Sequence, residues 1–148
     1  MNSLKLILSN KNYFAPAWVF ASINILTGTW VLYLPHIKSK FGLNDGEIGL
    51  ALFCLALGLL SSIPFIPFIN KRLGVGKSTQ IGIIIFCLLF NLPLAVDSFV
   101  ALCVSLFSIG IFSGFTDVSM NALVSYIERS QDKYFMSAAH GFLVWVVL

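Results

Sequence analysis

Charge is what this sequence has least of. Nine Lys and Arg and six Asp and Glu make up 10% of its 148 residues, against about 25% in a soluble domain. With 58% hydrophobic residues and a mean hydropathy of +0.93, that shortage does not suit a soluble fold. The three cysteines, Cys54, Cys87 and Cys103, form no C-x-x-C and stand at no metal-ligand spacing to histidine. Each falls inside a long apolar run, where a small packing role is expected. Only His36 and His140 supply imidazoles, one at a helix end and one near the start of the last run, positions more often interfacial than catalytic. Paired carboxylates, a Ser-His-Asp set and a basic nucleic-acid patch are all missing. An enzyme, a metal centre and a nucleic-acid partner therefore find no support, and no cofactor is expected.

What the chain does have is long apolar runs. A transmembrane helix takes about 20 apolar residues, and four runs reach that length: 14–34, 48–69, 79–96 and 99–124. A fifth, 135–148, is too short to span, so the expectation is a chain that ends inside a helix. The first run follows Lys5 and Lys11 but is too long for a signal peptide and lacks a small-residue cleavage site. It reads as a retained helix. The fold class expected is all-α: a multi-pass membrane protein with the lipid bilayer as its surroundings.

The stretch "RLGVGKST" ends like a nucleotide-binding P-loop. The pattern G-x-x-x-x-G-K-[ST] needs glycine five residues before Gly76, and Lys71 stands there. It also needs a strand before the loop, whereas the preceding "LALGLLSSIPFIPFIN" carries Pro64 and Pro67, which disfavour a central strand. No nucleotide is expected. Gly74 and Gly76 instead permit a tight turn, and Ser78 can cap the next helix.

Basic residues gather in cytoplasmic loops near helix ends. With the N-terminus inside, the inner segments hold Lys5, Lys11, Lys71, Arg72, Lys77, Arg129 and Lys133, and the outer ones only Lys38 and Lys40. A cytoplasmic N-terminus is expected. In "HIKSKFGLNDGE", Asn44 and Glu47 have capping-box spacing, so the second helix should start near Asp45.

The fourth run differs from the rest. In "SIGIFSGFTDVSMNALVSYIE" an acid, Asp117, interrupts an apolar span. An Asp at a helix centre costs about 2.5–3.5 kcal/mol on insertion scales, so it usually faces a protein interior or an aqueous cavity. Gly110, Gly114, Asp117 and Asn121 fall at intervals of four, three and four, which is one helical face. The glycines allow close helix approach, while Asp117 and Asn121 are placed to share a polar ligand. The bland alternative makes Asp117 an interhelical hydrogen-bond partner, or hydrated near the interface. In the first run Ala17, Ala21, Asn24 and Gly28 share a face with Thr27 beside them, either for packing or for ligand contact. Cys54, Gly58 and Ser62 repeat every four residues and read as a helix-contact face.

The stretches "WVLYLPHIKSKFGLNDGEIGLALFCLALG", "KRLGVGK", "GFTDVSMNALVSYIE" and "MSAAHGF", in this order, resemble the N-terminal part of a major facilitator superfamily transporter. The branch they resemble most is the bacterial fucose-permease-like one. The resemblance implies a twelve-helix transporter of a small solute such as a sugar, sited in the bacterial inner membrane. Its two six-helix halves would rock about a central site, in a proton-coupled or facilitative cycle. The chain then corresponds to an incomplete N-terminal half of such a transporter. Asp117 matches the substrate or proton-coupling acid of the fourth helix and Asn121 a nearby asparagine. Arg72, Gly74 and Lys77 fall in the gating loop. That loop departs from the family pattern: Lys71 stands at its acidic position and Pro67 at its first glycine.

The expected function is therefore transport of a sugar or related metabolite in the full-length form, with this chain a truncated fragment inactive alone. Two alternatives stay open. One is a stand-alone small membrane protein that assembles with partners. The other is a fragment of an efflux transporter of the same superfamily.

Overall fold

The computed structural model describes residues 7–8, 10–132 and 134–147. Lys5 and Lys133 of the charge count, and Leu148 of the fifth run, lie outside the described residues. Among those residues the chain is helical, with no strand, which removes the βαβ context a P-loop requires.

Among the described residues, four helical spans are long and apolar enough to cross a membrane: Lys11–Phe41, Asp45–Leu73, Val75–Ala95 and Phe99–Gln131. The first is the single helix α1 (Lys11–Phe41). It runs past its apolar stretch to Gly42, whose φ of 63° supplies a left-handed cap. The Leu43 and Gly42 amides close back onto the Lys38 and Ser39 carbonyls at 3.0 and 3.3 Å, satisfying orphan acceptors of the last turn. The second span begins with α2 (Asp45–Ser62). Its capping box is complete: Asn44 Oδ1 accepts from the Glu47 amide at 3.0 Å, and Glu47 Oε2 from the Asn44 amide at 2.8 Å. Helix start and cap both agree with the sequence expectation.

At Ser62 the second span changes character. A 3-10 turn, Ile63–Phe65, carries Pro64, and α3 (Ile66–Leu73) resumes with Pro67 in its first turn. Each proline removes a backbone donor and crowds the preceding turn, so the span bends there. The third span is α4 (Val75–Leu89) followed by the short α5 (Leu92–Ala95), whose break coincides with Pro93. Lys40 reaches across from α1 to the Leu94 and Val96 carbonyls, at 3.2 and 2.8 Å. It thereby cancels bare acceptors at the α5 end.

The fourth span, α6 (Phe99–Gln131), is the hub. The second span packs along it most extensively and the third next, while α1 touches it and pairs mainly with α7 (Met136–Val147). Two expectations about the loop after the second span are corrected. Ser78 does not cap α4; it lies inside that helix, buried, while Gly74 at φ 82° takes the cap position. Gly76 is not part of the turn either, because one left-handed glycine suffices to join α3 to α4 and Gly76 already belongs to α4.

Candidate functional site

Close packing builds one half of the fourth span's face. A side chain at Gly110 would put its Cβ 2.0 Å from the Leu55 carbonyl oxygen, and one at Gly58 would meet the Phe107 carbonyl at the same distance. At Gly114 the obstacle is Ser62 Oγ, at 2.6 Å. The expected contact faces, Gly58 and Ser62 on α2 with Gly110 and Gly114 on α6, therefore meet each other with backbones nearly touching.

Asp117 follows on the same face of α6 and is exposed. The Asn121 side-chain amide donates to the Asp117 carbonyl oxygen at 2.9 Å. This keeps Asn121 one turn along and within reach of the Asp117 carboxylate. A third group joins them from the next helix. His140, on α7, interacts electrostatically with Asp117 while its ring rests against Phe20 of α1, with centroids 4.1 Å apart. No ion pair within 4.0 Å joins the two among the described residues. The arrangement is an exposed acid with an amide one turn along its helix and an exposed imidazole on α7. Sequence reasoning set His140 aside as interfacial. Only the pairing of α1 with α7 reveals its position, and no spacing within one helix encodes that.

Asn24 is exposed on α1, its amide donating to the Phe20 carbonyl at 2.9 Å, and Thr27 likewise donates to Ile23 at 2.8 Å. Both side chains are parked on their own backbone, the usual resting place for such groups inside an apolar helix. Ala17 and Ala21, earlier on the same stripe, are fully buried. The structure brings Asp117, Asn121 and His140 together, and among the described residues no hydrogen bond joins Asn24 to Asp117 or Asn121. A groove of about 550 Å³ near Lys11, between the first, third and fourth spans, is lined by other residues, Thr79, Gln80 and Gln131 among them.

The loop residues take up structural posts. The Arg72 guanidinium stacks on the Phe68 ring, 4.3 Å from its centre, and Gly74 makes the turn. Lys77 is exposed in the first turn of α4. No acid pairs with Lys71, Arg72 or Lys77 among the described residues. Instead Asn70 ties this end of the second span to α6 by accepting from Ser119 Oγ at 2.9 Å. Neither residue was singled out from sequence; a lone Asn in "PFIN" and a lone Ser in an apolar run give no signal.

Glu128 is a further residue that only the fold discloses. Its Oε1 accepts from the Phe135 and Met136 amides, at 2.6 and 2.7 Å. A carboxylate thus sits at the start of α7, where free amides and the helix dipole favour negative charge. Tyr13 of α1 donates to Gln131 and meets the Phe135 ring edge-on at 4.8 Å. Together these contacts fix α7, and with it His140, against α1.

Comparison with known proteins matches the family model described as Major Facilitator Superfamily over residues 17–144. The chain is 26% identical over 112 residues to an uncharacterized MFS-type transporter of Yersinia pestis, covering 76% of this chain and 29% of that protein. It is 28% identical over 123 residues to an uncharacterized transporter of Sinorhizobium fredii, covering 83% and 32%. To the membrane protein MosC of Rhizobium meliloti it is 24% identical over 127 residues, covering 86% and 31%. The chain thus spans under a third of the length of these relatives. No solved structure matches it significantly.

Proposed function

Since the chain belongs to the major facilitator superfamily and is a multi-pass membrane protein, we propose that it supplies part of the N-terminal half of a solute transporter. The solute is a sugar or related small metabolite, and the membrane is a bacterial inner membrane. In this reading Asp117 is the substrate-binding or proton-coupling group, Asn121 and Asn24 offer hydrogen bonds to the solute, and the Arg72–Lys77 turn lies in the cytoplasm. The fucose-permease-like branch is part of the proposal, carried by the quoted stretches around Asp117 and "MSAAHGF".

The observation that carries it is Asp117 itself. An acid inside an apolar span is expensive unless it faces a polar interior, and in these four spans it is exposed, with Asn121 and His140 at its side. Closing such a face takes a wall from elsewhere, and alternating access takes two halves around a midplane site. The share of the relatives' length covered here supports reading these helices as one portion of that machine, so transport is assigned to the larger assembly.

The test replaces the matching segment of the Yersinia relative by residues 17–144 and measures accumulation of labelled monosaccharides in cells. Concentrative uptake is expected with Asp117 and should vanish in Asp117→Asn at equal membrane abundance. Equal accumulation by both would remove Asp117 from the mechanism. Orientation is checked with an impermeant thiol reagent on Asn44→Cys and Val75→Cys, in a background without the three native cysteines. Labelling at 44 alone in intact cells fits a cytoplasmic N-terminus, and labelling at 75 alone reverses it.

A further inference from the structure

A groove of about 370 Å³ follows the bent second span where it meets the third span and α6. Phe65, Ile69 and Leu73 line it from the second span, Ile81 from α4, and Ile111 and Phe115 from α6. Phe65, Leu73 and Ile81 are exposed while Phe115 is buried, so α6 forms the floor and the other two spans the walls. The polar side chains of the lining, Ser61 and Ser62, already donate to the Gly58 and Leu59 carbonyls at 2.8 and 2.7 Å. The walls therefore offer a guest little but apolar surface. Ser61 and Leu73 stand twelve residues apart, about 18 Å along a helix. That is close to the ~15 Å of hydrocarbon in one leaflet.

The groove ends in two cations. Leu73 is the last residue of α3, and Gly74 turns the chain into α4, so this end lies where the membrane meets water. Arg72 comes three residues after Ile69, and Lys77 four before Ile81. Each cation thus stands one turn beyond a wall residue, on the same helical face. The Arg72 guanidinium rests on the Phe68 ring, both cations are exposed, and neither joins an ion pair among the described residues. An apolar helix laid in the groove would cover its walls but bring no counter-charge. A free anion would answer the cations and leave the walls bare. An acyl chain joined to a phosphate does both.

We propose that this groove binds one anionic glycerophospholipid, with an acyl chain between the second and third spans and the phosphate on Arg72 and Lys77. Guanidinium and ammonium groups both suit phosphate oxygens, and basic pockets between membrane helices take anionic headgroups. The site shares no residue with Asp117, Asn121 and His140. It holds whichever side of the membrane the turn occupies.

The experiment titrates the 148-residue chain in detergent with dioleoyl phosphatidylglycerol and, separately, dioleoyl phosphatidylcholine, and counts bound lipids by native mass spectrometry. One saturable copy of phosphatidylglycerol is expected. At about fivefold per cation, it should be preferred over phosphatidylcholine by roughly thirtyfold. Arg72→Gln with Lys77→Gln should erase that preference, whereas Arg129→Gln, at an exposed cation on α6, should leave it intact. Ile81→Trp fills the groove without touching charge and should weaken both lipids roughly tenfold, the loss of about two buried methylenes. Glycerol 1-phosphate, the headgroup chemistry without chains, should not displace the lipid. Equal binding of the two lipids, or an equal loss in Arg129→Gln, overturns the proposal by making the attraction non-specific. Unchanged binding in Ile81→Trp, or displacement by glycerol 1-phosphate, overturns it by removing the acyl chain from the groove.

Discussion

Gly110 and Asp117 lie on one face of the same helix, about two turns apart, and they have opposite fates. Gly110 is sealed against the α2 backbone; Asp117 is open. The first helix repeats the division, with Ala17 and Ala21 buried and Asn24 and Gly28 exposed on one stripe. A shared face does not mean a shared neighbour. The second span meets α6 at Gly110 and Gly114, bends at Pro64 and Pro67, and meets it again at Ser119 through Asn70. At about 100° per residue, Ser119 points away from Gly110 by half a turn. The second span therefore slides around α6 after its proline bend, and the strip carrying Asp117 and Asn121 is left uncovered.

The sealed half should break most dramatically. Replacing Gly110 by Ala gains about 1 kcal/mol of helix propensity but drives a Cβ to 2.0 Å from a backbone oxygen that no rotamer change can move. Sterics win: a net loss of about 3 kcal/mol, or failure to fold, is expected from denaturant unfolding in detergent micelles. Gly28 is the control on the open stripe. Nothing lies within 4 Å of a Cβ there, so Gly28→Ala should be neutral or stabilise by up to about 1 kcal/mol. Equal responses at the two glycines would dissolve the distinction between sealed and open faces.

How much of this was legible follows from the range of each interaction. The α2 capping box lies within four residues, and it was read correctly from Asn44 and Glu47. The Gly58, Ser62, Gly110 and Gly114 faces were visible as four-residue repeats, though not which face met which. Ser78 misled because a serine after glycine looks like a cap, whereas Gly74 already provides the turn. His140, Glu128 and Asn70 gave no local signal. Their roles come from contacts such as Phe20 with His140 and Asn70 with Ser119, which single-helix periodicity does not contain. Asp117 stood out because an acid in an apolar run is informative by its cost alone.

A middle-sized effect is expected at the second contact of the second span with α6. Ser119 is fully buried and donates to Asn70 Oδ1. Ser119→Ala removes the donor and leaves the Asn70 oxygen unmatched, which should cost about 1 kcal/mol. The same change should let the α3 end swing, so a thiol at Lys71→Cys should react faster with a soluble reagent in the Ser119→Ala background. Unchanged stability and unchanged reactivity would mean the bend at Pro64 and Pro67 sets the path of the second span without help from Ser119.

The smallest effect on stability should come from the residue that matters most to the proposed function. Asp117 is exposed and forms no ion pair within 4.0 Å among the described residues, and the amide of Asn121 holds the Asp117 backbone carbonyl at 2.9 Å. Asp117→Asn keeps the shape, keeps that backbone hydrogen bond and removes one charge that packing does not use. Unfolding of the 148-residue chain should therefore lose no more than about 0.5 kcal/mol, and any gain would read the cost of a bare acid within an apolar span. A residue whose loss abolishes uptake in the chimaera while leaving the chain's stability alone acts on solute or proton. A loss above about 1.5 kcal/mol would instead make Asp117 a structural partner of His140, an ion pair holding α6 to α7. The double mutant with His140→Gln separates the cases: a structural pair shows a coupling energy above about 0.5 kcal/mol in the cycle, whereas independent site residues simply add.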